Sequence, residues 1–488
     1  MGTTDAEEFP HLTQKRKRDR SLVFKRSGSD HRKWKREQDS RLPAAGSRED
    51  PPRRAKRRRT GRGRGRDVYG SRQWVFSPRD LSAFRDRFII VSYNILGVEN
   101  ASKHPDLYDR IDPQHLNWDT RKKQIHKELT CYNPSILCFQ EVDRFNDLAY
   151  LLQKDGFVGV YKGRTGEASD GCAIFWKEEE FTLLHQEDIE FRKFGLRDNV
   201  AQLCLFKVSH NNSNMSKNKD ASCQIAEPRS CRTLLVVNIH VLFNPNRGDI
   251  KLGQIRVLLE RANKLSQEYG KTPVVISGDL NSMPQSAIYQ FFTSSEIDIL
   301  AYDRKKISGQ IEFPLRQMPV IAQNDALRTP KCISYGMKYK WSEEEIRLAA
   351  GSRGYTHLQN PLKLCSAYQG IPGHDNTRDD NGEPLATSYH SKFMGTVDYI
   401  WHSSALVPVA VVETLPINVL KRLGGLPSEC YDPAEKGHRR ARVIVLNALR
   451  GLMLGFFIDM RWGSDHLALV CKFAFVDDAN CSDTLHDL

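Results

Sequence analysis

Apolar runs in this chain repeatedly end on acids, amides and imidazoles. "FIIVSYN" stops at Asn94, "SILCFQE" at Glu141 and "LLVVNIH" at His240. "VVISGDLNSMP" delivers Asp279 and Asn281 two residues apart, while "GTVDYIW" and "WGSDHLALV" place Asp398, Asp465 and His466 where apolar runs begin. Taking such groups out of water is unfavourable unless they share a partner. A hard divalent cation beside a phosphate is such a partner, because carboxylate and amide oxygens suit Mg²⁺. One polar strand end is ordinarily a cap or a turn, but a whole series of this chemical mix implies a common centre. There Glu141 would hold Mg²⁺, with Mn²⁺ as a substitute, to polarise a phosphoryl oxygen. Asp279 would orient or deprotonate a water, and His466, backed by Asp398, would offset charge growing on the phosphorus oxygens. His240 and the amides of Asn94 and Asn281 would complete a phosphate cradle. The chemistry implied is hydrolysis of a phosphodiester or phosphomonoester.

The elements that must position these groups are legible as alternating patterns. Strands are predicted over 88–95, 135–140, 172–176, 200–208, 233–240, 273–278, 396–401 and 467–475. Helices are predicted over 118–130, 145–154, 250–268, 284–292 and 343–350, with another inside 437–458. Segments 209–230 and 373–384, rich in Asn, Asp, Ser and Gly, read as mobile loops. No internal repeat is present.

Charge divides the chain. Of a formal net charge of +13, residues 1–70 contribute +12, holding 22 Lys/Arg against 10 Asp/Glu. So dense a charge with few apolar residues cannot build a core, so residues 1–75 are expected to be a disordered basic tail. Its clusters "QKRKRDR" (14–20) and "RRAKRRRTGRGRGR" (53–66) suit nuclear import or attraction to RNA phosphates, or simple solubilisation. The globular part, 85–475, is nearly neutral and is followed by a tail at 476–488. Eleven scattered cysteines without metal-type spacing read as reduced thiols of the nucleus or cytoplasm. No stretch reaches the ~18–20 apolar residues of a membrane span. The nearest, "VIVLNALRGLMLGFFI" (443–458), carries Arg450.

The ordered series "SYNIL", "FQEVD", "NIHVLFNP", "SGDLNSMP", "VDYIW" and "SDHLALV" resembles the endonuclease/exonuclease/phosphatase superfamily, in particular its carbon catabolite repressor 4, Angel and nocturnin group. The resemblance covers roughly 85–475. It implies an α/β four-layer sandwich, two mixed β-sheets face to face with helices outside. It also implies a Mg²⁺-dependent 3′-to-5′ exoribonuclease that shortens the poly(A) tail of mRNA and releases 5′-AMP. The family's metal-side positions fall on Glu141, Asn94 and Asp465, and its catalytic positions on Asp279, Asn281, Asp398, His466 and His240. An adenine clamp falls on Pro245 and Phe393. "GRTGEASDGCAIFWK" and "LRDNV" resemble cleft loops, which makes Arg164 and Asn199 candidate phosphate or sugar contacts.

Three departures bear on substrate and partners. Ser388 stands where the deadenylases place a base-contacting asparagine. The leucine-rich repeats that dock relatives into the carbon catabolite repressor 4–NOT complex are absent, which argues against membership. Residues 429–461 separate two segments that the family keeps adjacent, and read as an insertion, either retained intron sequence or a capping helix. Two other readings stay open beside the deadenylase: a phosphatase of RNA 2′,3′-cyclic ends or of nucleotides, and a non-enzymatic RNA-binding adaptor.

Overall fold

Valine, isoleucine and phenylalanine crowd the runs leading to Asn94, Gln140, His240 and Asp279, and these runs become the central strands of two sheets. The computed structural model describes residues 72–84, 86–209, 232–310, 341–429 and 461–476. In chain order, β1 is Trp74–Phe76, β2 Arg87–Asn94, β3 Ile136–Gln140, β4 Phe157–Gly163, β5 Gly171–Lys177, β6 Phe181–Glu190, β7 Val200–Val208, β8 Thr233–His240 and β9 Val274–Asp279. β1 to β5 join the strands Leu406–Val412 and Leu469–Phe475 in a seven-stranded sheet. β6 to β9 join Leu364–Ser366 and Asp398–Ser403 in a six-stranded one.

Each sheet contains one parallel pair, β2 with β3 and β8 with β9. Parallel neighbours need a crossover. The helix Trp118–Tyr132 supplies the first, started by the Asn117 side chain accepting Thr120 N–H. The helix Gly248–Glu268 lies within the second. Asn94 thus stands beside Gln140, and His240 beside Asp279, at the carboxyl ends of the two pairs.

Alternate strand residues face the opposite sheet. Ile90, Ile136, Cys138 and Ile174 of one sheet share a core with Phe206, Val236, Val275 and Ile400 of the other. The outer faces are covered by helices, Ile125, Leu129 and Leu148 on the first sheet and Ile255, Leu258, Phe291 and Phe292 on the second. The α/β four-layer sandwich is therefore the observed architecture. One polar bridge crosses its dry centre: Gln140 donates to Asn238 (2.8 Å), whose amide donates to Phe139 O and Ala173 O (2.9 and 3.0 Å). All four of those residues are wholly buried.

The predicted strands and helices lie within a few residues of the observed ones, and 343–350 is a capped helix as expected. β1, β4, β6 and Leu406–Val412 were not legible. The last contains Pro408, which cannot donate to a ladder and is tolerated because the register slips between Pro408 and Ala410.

The body begins earlier than expected, since Arg72 is buried and Trp74–Phe76 pairs with Ala410–Val412. The tail is corrected to that extent; residues 1–71 and 477–488 lie outside the described residues. The segment 373–384 is irregular, as a loop, but it is pinned at Arg378. Its Arg378 is buried, donates to Glu413 (2.6 Å) and Gly382 O (2.8 Å), and stacks on Tyr368. Most of 209–230, and the helix expected inside 437–458, fall outside the described residues. At the expected insertion, Ser428 pairs with Trp462 and Glu429 with Arg461, while residues 430–460 lie outside the described residues. Among the described residues no helix is long and apolar enough to cross a membrane.

Candidate active site

Asp279, the last residue of β9, is the hub of the rim. Gly278 before it has φ +150, and a Cβ there would lie 1.9 Å from Ile239 O, so only glycine lets β8 and β9 close at this point. Asp279 Oδ1 accepts Asn281 N–H (2.8 Å) and Oδ2 accepts the Asn94 amide (3.1 Å). Oδ2 also lies 3.6 Å from His240 Nε2 and 3.9 Å from His466 Nε2. Burial, followed by the nearby Asp398, pushes its pKa up to about 7.

Glu141 sits just past β3 with φ 57, a left-handed backbone that a glutamate rarely adopts. Such outliers persist where surrounding bonds fix them. Here Oε1 accepts Asn94 (3.1 Å) while Oε2 accepts Gly97 N–H (3.0 Å) and Asn100 (2.9 Å). Burial opposes ionisation of Glu141, but His240 and these hydrogen bonds outweigh it and hold the pKa below the usual range. The sequence places Asn94 among the metal ligands. Its amide donates to both carboxylates and its oxygen accepts Leu96 N–H (3.1 Å), so Asn94 braces the pair. Asp465 accepts Tyr108 OH (2.9 Å), and burial raises its pKa.

The opposite side carries the imidazoles. Asp398 begins its strand directly across from Asp279 and accepts His466 Nδ1–H (2.8 Å) and Thr387 OH (2.6 Å). Burial would lower the pKa of His466, yet Asp398, Asp465 and Asp279 together hold it well above the ordinary imidazole value. His240 is the reverse case, pushed down to about 4 by burial despite Glu141. Its Nε2 accepts the Asn281 amide (3.1 Å), leaving Nδ1–H buried without a partner among the described residues.

The crowding of carboxylates fits a divalent cation. Asp279, Asp465 and Asp170 all have raised pKa values, with burial the first cause in each. Asp398 Oδ1 and Asp170 Oδ2 are buried with no hydrogen-bond partner among the described residues. Asp279, Asp398 and His466 also bring ligand-type atoms within 4.8 Å of one another. Glu141, whose carboxylate is held ionised, lies within electrostatic reach of Asp465 and Asp170, so oxygen ligands for a cation gather on that side as well.

The remaining expected residues separate. Arg164 reaches Asp170 (3.4 Å) and adds its charge near His240. Pro245 and Phe393 are half-buried, Phe393 beside the His390 ring at 6.0 Å. Asn199 lies behind His240. It is buried, donates to His240 O (2.9 Å) and accepts from Gln254 (3.2 Å), so it fixes the backbone of His240.

Residues that sequence reasoning missed support this centre from behind. Arg121 is buried and donates to Ile95 O (2.7 Å) and Gly463 O (3.1 Å), clamping the Asn94 and Asp465 segments. Lys251, wholly buried, donates to Asn281 O and to Gln310 (2.9 Å), whose amide lies 3.5 Å from Asn281 Oδ1. That grip sets Asn281 at φ 45 with its amide toward His240. Burial lowers the Lys251 pKa to about 7 against the pull of Asp279. A buried ammonium is unfavourable in itself. Lys251→Met is therefore expected to leave the melting temperature unchanged or higher while turnover falls about 10- to 100-fold through misplacement of Asn281. Parallel melting and rate measurements check this.

Comparison with known proteins agrees with the geometry. Residues 91–466 match the model of the Endonuclease/Exonuclease/phosphatase family. Carbon catabolite repressor protein 4 homolog 5 of Arabidopsis thaliana is 51% identical over 83% of this chain and 81% of its own. Homolog 3 of the same plant is 41% identical over 84% and 80%. Among solved structures, ANGEL2, described as a 2′,3′-cyclic phosphatase in complex with adenosine-2′,3′-vanadate, aligns with a TM-score of 0.59 and 26% identity. That alignment covers 83% of this chain and 99% of that one. The chain therefore belongs to the endonuclease/exonuclease/phosphatase family, among its carbon catabolite repressor 4 and Angel members.

Proposed function

We propose that the chain is a Mg²⁺-dependent 3′-to-5′ exoribonuclease that removes adenylates from the poly(A) tail of mRNA. The observation that carries the reading is the position of Asp279, within 4 Å of both imidazoles and bonded through Asn94 to Glu141. A divalent cation, Mg²⁺ or Mn²⁺, held by Glu141 with Asp465 beside it, would supply Lewis-acid polarisation of the scissile phosphate. The chain's own groups do the rest. Asp279, anchored by Asn281 N–H, orients the attacking water and accepts its proton. His466, kept protonated by Asp398, donates Nε2–H to a phosphorus oxygen as negative charge grows there. The unpartnered His240 Nδ1–H is a second donor for that phosphate. Phe393 and Pro245 offer apolar surface to a base, where aromatic stacking contributes ~1–3 kcal/mol per base.

A second reading, hydrolysis of RNA 2′,3′-cyclic phosphate ends, is favoured by the likeness to ANGEL2 and by Ser388, which is buried where an adenine-reading amide would stand. Both readings use one set of reacting groups, so substrates must decide. Purified protein with Mg²⁺ is to be offered an A-tailed RNA ending in a 3′-hydroxyl, the same RNA ending in a cyclic phosphate, and NADPH. Stepwise loss of adenylates is the expected result. An intact A-tail would exclude the first reading, and removal of the cyclic end alone would establish the second.

A further inference from the structure

His390 occupies the space between the reacting groups and Phe393. Ser388–His390 and Phe393–Gly395 form a tight hairpin in which His390 lies opposite Phe393, and Ser388 opposite Gly395. Ser388 also bridges His466 in antiparallel fashion, bracketed by Tyr389 N–H to Asp465 O (2.8 Å) and Leu467 N–H to Thr387 O (2.7 Å). Opposed residues on adjacent strands share a face. His466, Ser388, His390 and Phe393 therefore project to one side, and Tyr389 to the other, where it packs with Leu415, Leu426 and Trp462. Ser388 is short and buried, and Gly395 has no side chain; a Cβ there would meet the Phe393 ring at 2.9 Å and Met283 at 3.0 Å. The imidazole of His390 is the polar group left on that face between phosphate and aromatic ring.

Its chemistry is also defined. His390 Nδ1 accepts Lys392 N–H (3.3 Å), which in the neutral ring puts the proton on Nε2. Burial, then the charges of His466 and Lys392, keep the ring neutral, with Asp106 the one opposing charge. The loop is held by Lys392 to Asp106 and by Ser391 to Leu107 O (3.0 Å) and Asp106 O (2.9 Å).

We propose that His390 Nε2–H donates to the ribose 2′-hydroxyl of the bound nucleotide, making it the residue that distinguishes ribose from deoxyribose. A nucleotide's sugar lies between its phosphorus and its base, and the 2′-hydroxyl is the group by which proteins tell RNA from DNA. The inference rests on the reading given above in which the reacting phosphate is the nucleotide's 5′-phosphate, since in a 2′,3′-cyclic end the 2′-oxygen is itself bonded to phosphorus.

The test is binding of 5′-AMP and 2′-deoxy-5′-AMP to the full chain with Mg²⁺, measured by calorimetry for wild type, His390→Ala and His390→Gln. One lost hydrogen bond to a neutral group is worth about 3- to 10-fold in affinity. Wild type is expected to prefer AMP by at least that factor, His390→Ala to bind the two alike, and His390→Gln, which keeps an N–H donor, to recover part of the preference. Melting curves identify any variant that fails to fold, and the Gln variant then decides. A wild type without ribose preference, or a preference that survives in His390→Ala, overturns the assignment. If ribose preference behaves as expected while an A-tailed RNA stays intact, the exoribonuclease reading fails and the assignment of His390 stands.

Discussion

Glu141→Gln is expected to abolish turnover while the fold persists. The amide keeps the size of the side chain and can still accept from Gly97 N–H and Asn100, so the left-handed turn at Glu141 has its bonds. It loses the charge that would hold a divalent cation, and it sets an NH₂ group against the donating Asn94 amide. Disturbing even a hydrogen-bonded neighbour of a metal ligand weakens affinity about 10- to 100-fold, and loss of the ligand's own charge exceeds that. Lewis-acid stabilisation amounts to several kcal/mol, so the rate at saturating substrate should drop ~10³-fold or more. The Mg²⁺ titration should move to higher concentration in the same variant, with the melting temperature of the metal-free protein little changed. A variant that kept its rate and its Mg²⁺ midpoint would place the cation elsewhere.

Asp398→Asn is the second large expected effect, and it carries a pH signature. The active form has Asp279 ionised and His466 protonated. Asp279 ionises through about 7, so the rate rises there, and His466 loses its proton well above the usual value, so the rate falls only on the alkaline side. Asp398 raises both pKa values. Its replacement moves both limbs of the bell to lower pH, with the alkaline limb falling back toward the ordinary imidazole value near 6.5. Loss of an oriented, charged donor at the phosphate lowers the maximum rate about 10²- to 10³-fold. The stability linkage has the same sign. A raised His466 pKa stabilises the fold fully below about pH 6.5 and ceases to do so as pH rises through the folded value. Rate–pH profiles with denaturant melts at acid and alkaline pH measure both, and an unmoved alkaline limb would mean that Asp398 does not set the charge of His466.

The parts legible in the sequence and the parts hidden from it differ for physical reasons. Strands such as β2, β8 and β9 are mostly apolar runs ending on a polar residue, and period and termination together locate them. Asp279, Asn281, Glu141, Asp398 and His466 stand at those terminations, so their types and order suffice to bring them to one centre. The signal fails where a residue's surroundings come from distant segments. Lys251 sits in "GDIKLGQIRVLL", where a lysine reads as solvent-facing because lysines are seldom buried. Its partners Asn281 and Gln310 join it only in the fold. Asn199 resembles a cleft residue in sequence, yet closure of the β7–β8 edge turns it inward to His240 O. His390 belongs to a hairpin of three-residue strands, too short for periodicity to register. In β6 the pattern of exposure alternates along an edge strand rich in Glu, Gln and His, which masks it as a loop.

The two flanks of 430–460 are fixed against each other by their own pairing, Ser428 to Trp462 and Glu429 to Arg461. Trp462 is buried immediately before Ser464 and His466, and it anchors the strand downstream of the junction. The approach of the chain to the His466 imidazole is thereby set by this pairing and by the buried Trp462 ring.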